Sequence, residues 1–398
     1  MIQKNKKIYL IIFFLSIIIF SITFFSGKNH DYESYLVSWN YFILGANPWA
    51  KEFNDISIQI SAYGPVHSIV GYLILISELF PKIIFSFCSV VIFYYLTELV
   101  KKQKKLLNNK DLFLILFIYP LFPLTIINVY LFGINDSLIA LLIILACESR
   151  KKENFHFTGA ILGFGALIKF YPILFLPFFS LCKQRGISLK CLTVGISVFL
   201  IGMFFSYLVW GNEILNPLFF GTDRDPKLLS ILKFLDYLNT QNNIELLNNL
   251  VNFLISKNTF FLLLITFFVF FHGLKAKIEW EYVALIGILL MFTTYKVGHP
   301  QFYLSWSALL AWIMLSSNKN SEKRLFTLRL IPILIYLGLF QCVYLMSGLG
   351  SGGGYLINDW EFIRNICSVP FLVIIFFSLY LNKSFFEKKW ENKINFFW

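Results

Sequence analysis

The chain has 398 residues, 58% hydrophobic and only 14% charged, with a mean hydropathy of +0.70. Phe alone supplies 47 residues, and apolar runs of span length recur from end to end, which excludes a soluble domain and points to an all-α, polytopic transmembrane helical bundle. The net charge of +12 does not argue for nucleic acid, because the basic residues gather in short clusters beside apolar runs, as the positive-inside rule asks of cytoplasmic loops.

The first apolar run, Ile8 to Phe25, follows Lys4, Lys6 and Lys7 and ends on a poor cleavage site, so it reads as a retained first span with a cytoplasmic N-terminus. It leads out to a first extracytoplasmic loop, 26–81, holding Asp31 and a segment from Tyr35 to Trp49. There Tyr35, Leu36, Trp39, Phe42 and Ile43 fall at helical spacing, and Gly45-Ala46-Asn47-Pro48 stops the helix. The expectation is an interfacial helix with Trp39 and Trp49 as anchors at headgroup level.

Two spans between Pro65 and Val100 would put the lysine cluster at 101–110 outside. One span at 82–100, preceded by a re-entrant half-helix at 66–80, keeps the cluster inside. Spans at 112–128 and 134–148 then form an outward hairpin tipped by Gly133-Ile134-Asn135-Asp136-Ser137. Residues 156–182 lie between basic clusters and must go out and return, with Lys169-Phe170-Tyr171-Pro172 as the break. A span at 190–210 opens a second large extracytoplasmic loop, 211–258. Spans at 259–274 and 281–294 enclose a tip from Tyr295 to Gln301, and spans at 303–316, 325–346 and 362–381 finish with the C-terminus inside. The total is about twelve spans in one integral membrane domain, 1–398, with Gly348 to Gly354 as a flexible outer loop. The six cysteines show no metal-type spacing and no disulfide framework.

With this topology Asp31, Tyr63, Asp136, Lys169, Lys296, His299 and Gln301 converge on the outer side from five segments. Ionisable groups at membrane depth are functional candidates. The set suits glycosyl transfer from a lipid-phosphate sugar. Asp31 is placed as general base on the acceptor hydroxyl, with Glu33 as its alternative. Lys169, Lys296 and His299 are placed to stabilise the departing phosphate. Bland readings stand beside these: Asp136 after Asn135 as a helix cap, Lys169 as a snorkelling side chain, and His67, His156 and His272 as interfacial residues. A transporter or flippase of lipid-linked sugars is the rival class, though the polar residues gather at one face rather than at the midplane.

On these residues the chain resembles the GT-C superfamily of polyprenyl-phosphate-sugar-dependent glycosyltransferases. The loop from His30-Asp31-Tyr32 to Gly45-Ala46-Asn47-Pro48-Trp49 is similar to the bacterial family 87 mannosyltransferase-like proteins. The later segments Tyr63-Gly64-Pro65, Glu78-Leu79-Phe80-Pro81-Lys82, Asn135-Asp136-Ser137, Lys169-Phe170-Tyr171-Pro172 and Lys296 to Phe302 also resemble the first mannosyltransferase of GPI-anchor synthesis. The resemblance implies a catalytic aspartate in the first outer loop, carried onto Asp31, an inverting mechanism, and a polyprenyl-phosphate donor, often mannosyl. It also implies a lipid or glycan acceptor and, in a bacterium, residence in the plasma membrane. The GPI enzyme has two aspartates in this loop; here Asn29 stands two positions before Asp31, so the single acid fits the family 87 pattern better and no metal or other cofactor is called for.

Overall fold

The computed structural model describes residues 2–28, 30–50, 62–104, 109–183, 186–217, 225–242, 245–316, 321–348, 360–385 and 396–397. The glycine loop beyond Gly348 and residues 105–108 of the lysine cluster lie outside them. The first half of the chain forms α1 (Ile2–Phe25), α2 (His30–Ile43), α3 (Pro65–Val70) with a 3-10 turn Gly71–Leu75, and α4 (Phe80–Lys104). Next come α5 (Asn109–Ile118), α6 (Pro123–Thr125) with a π turn Ile126–Leu131, α7 (Asp136–Lys151), α8 (Phe155–Ile168), a 3-10 turn Tyr171–Phe175 with α9 (Leu176–Ser180), and α10 (Leu189–Trp210). The second half is again helical, with Asn258–Lys275, Trp280–Thr294, Tyr303–Ser316, Ile331–Gly348 and Ser368–Leu381 as its longer apolar elements.

Six helices are long and apolar enough to cross a membrane, and seven if Asn109–Ile118 and Pro123–Leu131, bent by 42°, count as one span. This is fewer than the sequence suggests. The reason is length: at 1.5 Å per residue, helices such as α8 rise only about 21 Å, short of the roughly 30 Å hydrocarbon core. The bend between α5 and α6 falls where Pro120 and Pro123 remove backbone donors. Where a re-entrant half-helix is expected at 66–80, the structure has α3 and its 3-10 turn. The eleven residues from Pro65 to Leu75 are too short to cross. The stretch 211–258 contains helices Ile231–Asn242 and Glu245–Ser256.

The helices Trp280–Thr294 and Tyr303–Ser316 are apolar all round and buried on nearly every side, with Trp306, Leu285, Ile288 and Leu309 fully enclosed. A helix without a polar face belongs in the centre of a bundle. By contrast α1, α10, Asn258–Lys275 and Ser368–Leu381 present Phe13, Phe204, Phe205, Phe267, Phe268, Phe376 and Phe377 outward, which is the surface a lipid environment accepts. The tightest pair is α8 on α10. A Cβ on Gly159 would lie 2.3 Å from the Cys191 carbonyl oxygen, and one on Gly163 2.3 Å from that of Gly195. Small residues one turn apart let these backbones touch.

α2 departs from the surface helix expected of it. Its apolar stripe is buried in protein, with Tyr32 and Trp39 fully enclosed and Tyr35, Leu36 and Phe42 nearly so. Trp39 and Trp49 are internal struts rather than membrane anchors. Trp39 Nε1 donates to the His67 carbonyl at 2.9 Å, and Trp49 Nε1 to the Tyr63 carbonyl at 2.9 Å. A stripe at helical spacing says that one face is covered, and here segment 63–71 covers it.

Candidate active site

The head of α7 and the end of α8 meet at a buried ion pair. Lys169 closes α8 in an extended conformation (φ −147°, ψ 125°), since Tyr171-Pro172 opens a new turn, and this aims its side chain across to α7. Its Nζ lies 2.6 Å from Asp136 Oδ2, and the Tyr171 hydroxyl donates to Asp136 Oδ1 at 2.9 Å. Three rings surround the ammonium, with centroids at 4.7 Å (Phe302), 5.5 Å (Tyr63) and 5.6 Å (Tyr171). Both side chains are out of solvent. Asp136 therefore does not cap its helix and Lys169 does not snorkel. Each neutralises the other where an unpaired charge would cost several kcal/mol.

Segment 63–71 is docked against this pair. Gly64 N donates to the Ile168 carbonyl at 3.0 Å, and a Cβ on Gly64 would lie 2.2 Å from the Leu167 carbonyl oxygen, so only glycine permits the approach. It brings Tyr63 over Lys169 and joins its hydroxyl to that of Tyr35 on α2, 2.9 Å away. His67 follows on α3, 1% exposed, stacked on Tyr63 at 4.3 Å and flanked by Tyr35 (4.9 Å) and Trp39 (5.0 Å). It is not the interfacial residue expected from its place in the sequence. Burial, reinforced by the charge of Lys169, pushes its imidazole down to about 3, so the ring is neutral at physiological pH. Among the described residues neither of its ring nitrogens has a hydrogen-bond partner. The same holds for both amide atoms of Asn135, which occupies the N-cap position of α7 without capping it.

The hairpin tip joins the cluster through Phe302, whose ring stacks on Phe292 at 5.8 Å and meets Tyr171 at 5.9 Å. His299 is half-buried beside it, with ring centroids 6.2 Å apart, and Gln301 is half-buried next in line. Lys296 is buried, and its backbone is held on both sides: its N–H donates to Asn258 Oδ1 at 2.9 Å, and its carbonyl accepts from Lys227 at 2.8 Å. Here two short strands, Lys227–Leu228 and Val297–Gly298, pair in parallel, tying the second large loop to the tip.

Asp31 lies in the first turn of α2, and its side chain is outside what the structure describes. Position 31 stands one helical turn before Tyr35, about 6 Å along the axis. Glu33 is exposed on that helix, and Lys28 is paired with Glu78. Lys82, which the sequence marks only as part of a motif, is fully buried. Its ammonium donates to Ser26 Oγ (2.8 Å), the Gly27 carbonyl (2.7 Å) and the Leu131 carbonyl (2.8 Å). A cation is favoured where helix carbonyls end, and this one braces the approach to α2 and the approach to Asn135 together.

The structure thus brings Tyr63 and Asp136 against Lys169 and links His299 to them through Phe302, with Gln301 beside Phe302 in the chain. His67, Asn135, Tyr171 and Lys82 are additions to the sequence reading. The available signal was the spacing Tyr63-Gly64-Pro65-Val66-His67, which puts both rings on one short turn. Among the described residues no three His, Cys, Asp or Glu converge as metal ligands.

No curated protein matches the chain. A family profile, glycosyltransferase family 87, matches residues 62–291, more than half of the sequence. The matched stretch holds Tyr63, His67, Lys82, Asn135, Asp136, Lys169 and Tyr171, and ends before the 295–301 tip. That match places the chain in glycosyltransferase family 87, a GT-C type of membrane glycosyltransferase, and the helical membrane architecture agrees with it.

Proposed function

We propose that the protein moves a hexose, mannose first among candidates, from a polyprenyl-phosphate sugar to a lipid or glycan acceptor on the extracytoplasmic side, with inversion. Asp31 takes the proton of the acceptor hydroxyl, whose oxygen attacks the anomeric carbon as the bond to phosphate breaks. Lys169, held in place by Asp136, and His299 offset the charge on the departing polyprenyl phosphate. Lys296, Gln301, Asp136 and Tyr63 shape the donor site, and no cofactor is invoked.

The observation that carries this reading is the buried Lys169–Asp136 pair, which lies within the family-matched stretch and is enclosed by the rings of Tyr63, Tyr171 and, from beyond that stretch, Phe302. A desolvated ammonium with fixed partners gives strong, pre-organised stabilisation of developing phosphate charge. We place the protein in a bacterial plasma membrane with both termini cytoplasmic. The count of about twelve spans belongs to the same proposal and requires the short helices to cross where the bilayer is locally thinned.

The test is to incubate purified protein with radiolabelled polyprenyl-phosphate mannose or glucose and membrane lipid extract, and to identify the product and its anomeric configuration. Transfer with inversion from one of these donors is the expected result. Transfer from nucleotide sugars alone, or movement of the lipid-linked sugar across vesicles without a new glycoside, refutes the proposal.

A further inference from the structure

Two buried polar side chains in this cluster have polar atoms that the structure leaves unused. His67 is 1% exposed and Asn135 fully buried, yet among the described residues neither imidazole nitrogen and neither amide atom finds a hydrogen-bond partner. Buried polar groups are nearly always paired, and leaving one unpaired costs more than replacing it by an apolar residue of the same shape. Asn135 makes the point sharply. It stands where an Asn side chain ordinarily caps the first turn of a helix, and it forgoes that bond. His67 and Lys169 both lie against the Tyr63 ring, at 4.3 and 5.5 Å, and Asn135 immediately precedes Asp136 in the chain.

Resting on the proposed reaction, we propose that His67 and Asn135 form the subsite that reads the hydroxyl groups of the transferred hexose. The chemistry matches. A neutral imidazole offers one donor and one acceptor, and an amide offers two donors and an acceptor oxygen, which is what a set of sugar hydroxyls needs. The rings of Tyr35, Trp39 and Tyr63 around His67 supply flat apolar walls for the C–H face of a pyranose. Tyr63 is half-buried, stacked over the imidazole and bonded through its hydroxyl to Tyr35, and under this proposal that ring has to turn aside for the sugar to reach His67. Lys169 then lies at the phosphate end of the bound donor and the orphaned groups at its sugar end. A site built to bond hydroxyls rejects a sugar that lacks one, because its own polar atoms stay unpaired.

The experiment uses the full chain in detergent, the variants His67→Phe and Asn135→Leu, and polyprenyl-phosphate mannose together with analogues deoxygenated at one hydroxyl each. His67→Phe keeps the stack on Tyr63, and Asn135→Leu keeps the volume. Without donor, both variants are expected to hold or raise the melting temperature, since each removes an unpaired polar group. With donor, the wild type is expected to discriminate roughly ten- to hundredfold against the analogues whose missing hydroxyl these residues read, and each variant to lose that discrimination at one hydroxyl. Unchanged discrimination in both variants overturns the assignment. So does a fall in melting temperature in both, which would reveal a structural role. A wild-type protein inactive with every lipid-phosphate donor counts against the proposed reaction instead. In that case a fall in melting temperature in both variants, which needs no donor, still overturns this inference.

Discussion

Replacing Asp136 by Asn would strip the charge from one side of the most enclosed ion pair in the cluster while keeping the shape of the side chain. At 2.6 Å, the attraction between the two charges is about 6 kcal/mol for an effective dielectric constant near 20. Desolvation of both groups offsets part of this, and removing one partner of such a buried pair typically costs about 3–5 kcal/mol, because the other charge is left uncompensated. At roughly 2 °C per kcal/mol, the melting temperature of Asp136→Asn should fall by about 6–10 °C. Lys169→Met should fall similarly. The double variant should recover most of the loss, since nothing charged remains buried, and the coupling read from this cycle should reach about 2 kcal/mol or more. Transfer activity should not recover with stability if Lys169 serves the donor phosphate. The assay is a thermal melt of the four proteins in one detergent, with transfer measured alongside. Additive single effects, or a single variant within a degree of wild type, would refute the reasoning by showing that the pair is solvated or uncharged.

Three further outcomes are expected. Asp31→Asn should lower transfer by about 10²–10⁴-fold with donor binding intact, and Asp31→Glu should recover little; near-normal transfer in that variant with an inactive Glu33→Gln would move the base to Glu33. Lys82→Met leaves Ser26 Oγ and the carbonyls of Gly27 and Leu131 without their shared donor, so it should lower the melting temperature by several degrees and slow transfer together, whereas full activity would limit Lys82 to the motif. Burial by itself would raise the Glu279 carboxyl, but Lys323 and Lys183 outweigh it and hold the group below its ordinary range. Its contribution is therefore present above the ordinary carboxyl pKa and lost as pH falls through the lower folded value, so Glu279→Gln should shrink the gap between melting temperatures at pH 7 and about pH 4.

Composition alone determined the class of this protein, because burying every backbone donor inside apolar helices is a demand each segment meets locally. The breaks were local too. Tyr171-Pro172 ends α8 at Lys169, and Gly64-Pro65 starts α3, since Pro and Gly act on their own residues and immediate neighbours. Much of the candidate polar set was equally visible, as charges in an apolar chain are few. Tertiary structure decided what those residues touch. Lys169 meets Asp136 across 33 positions, and Lys82 meets Gly27 across 55. The stripe on α2 is the same pattern whether lipid or protein covers it, and only the docking of segment 63–71 made Trp39 and Trp49 internal struts. His67 gave no sign in the sequence of being enclosed without a partner, because burial is a property of the neighbours that close around a residue, and those neighbours come from helices far apart in the chain.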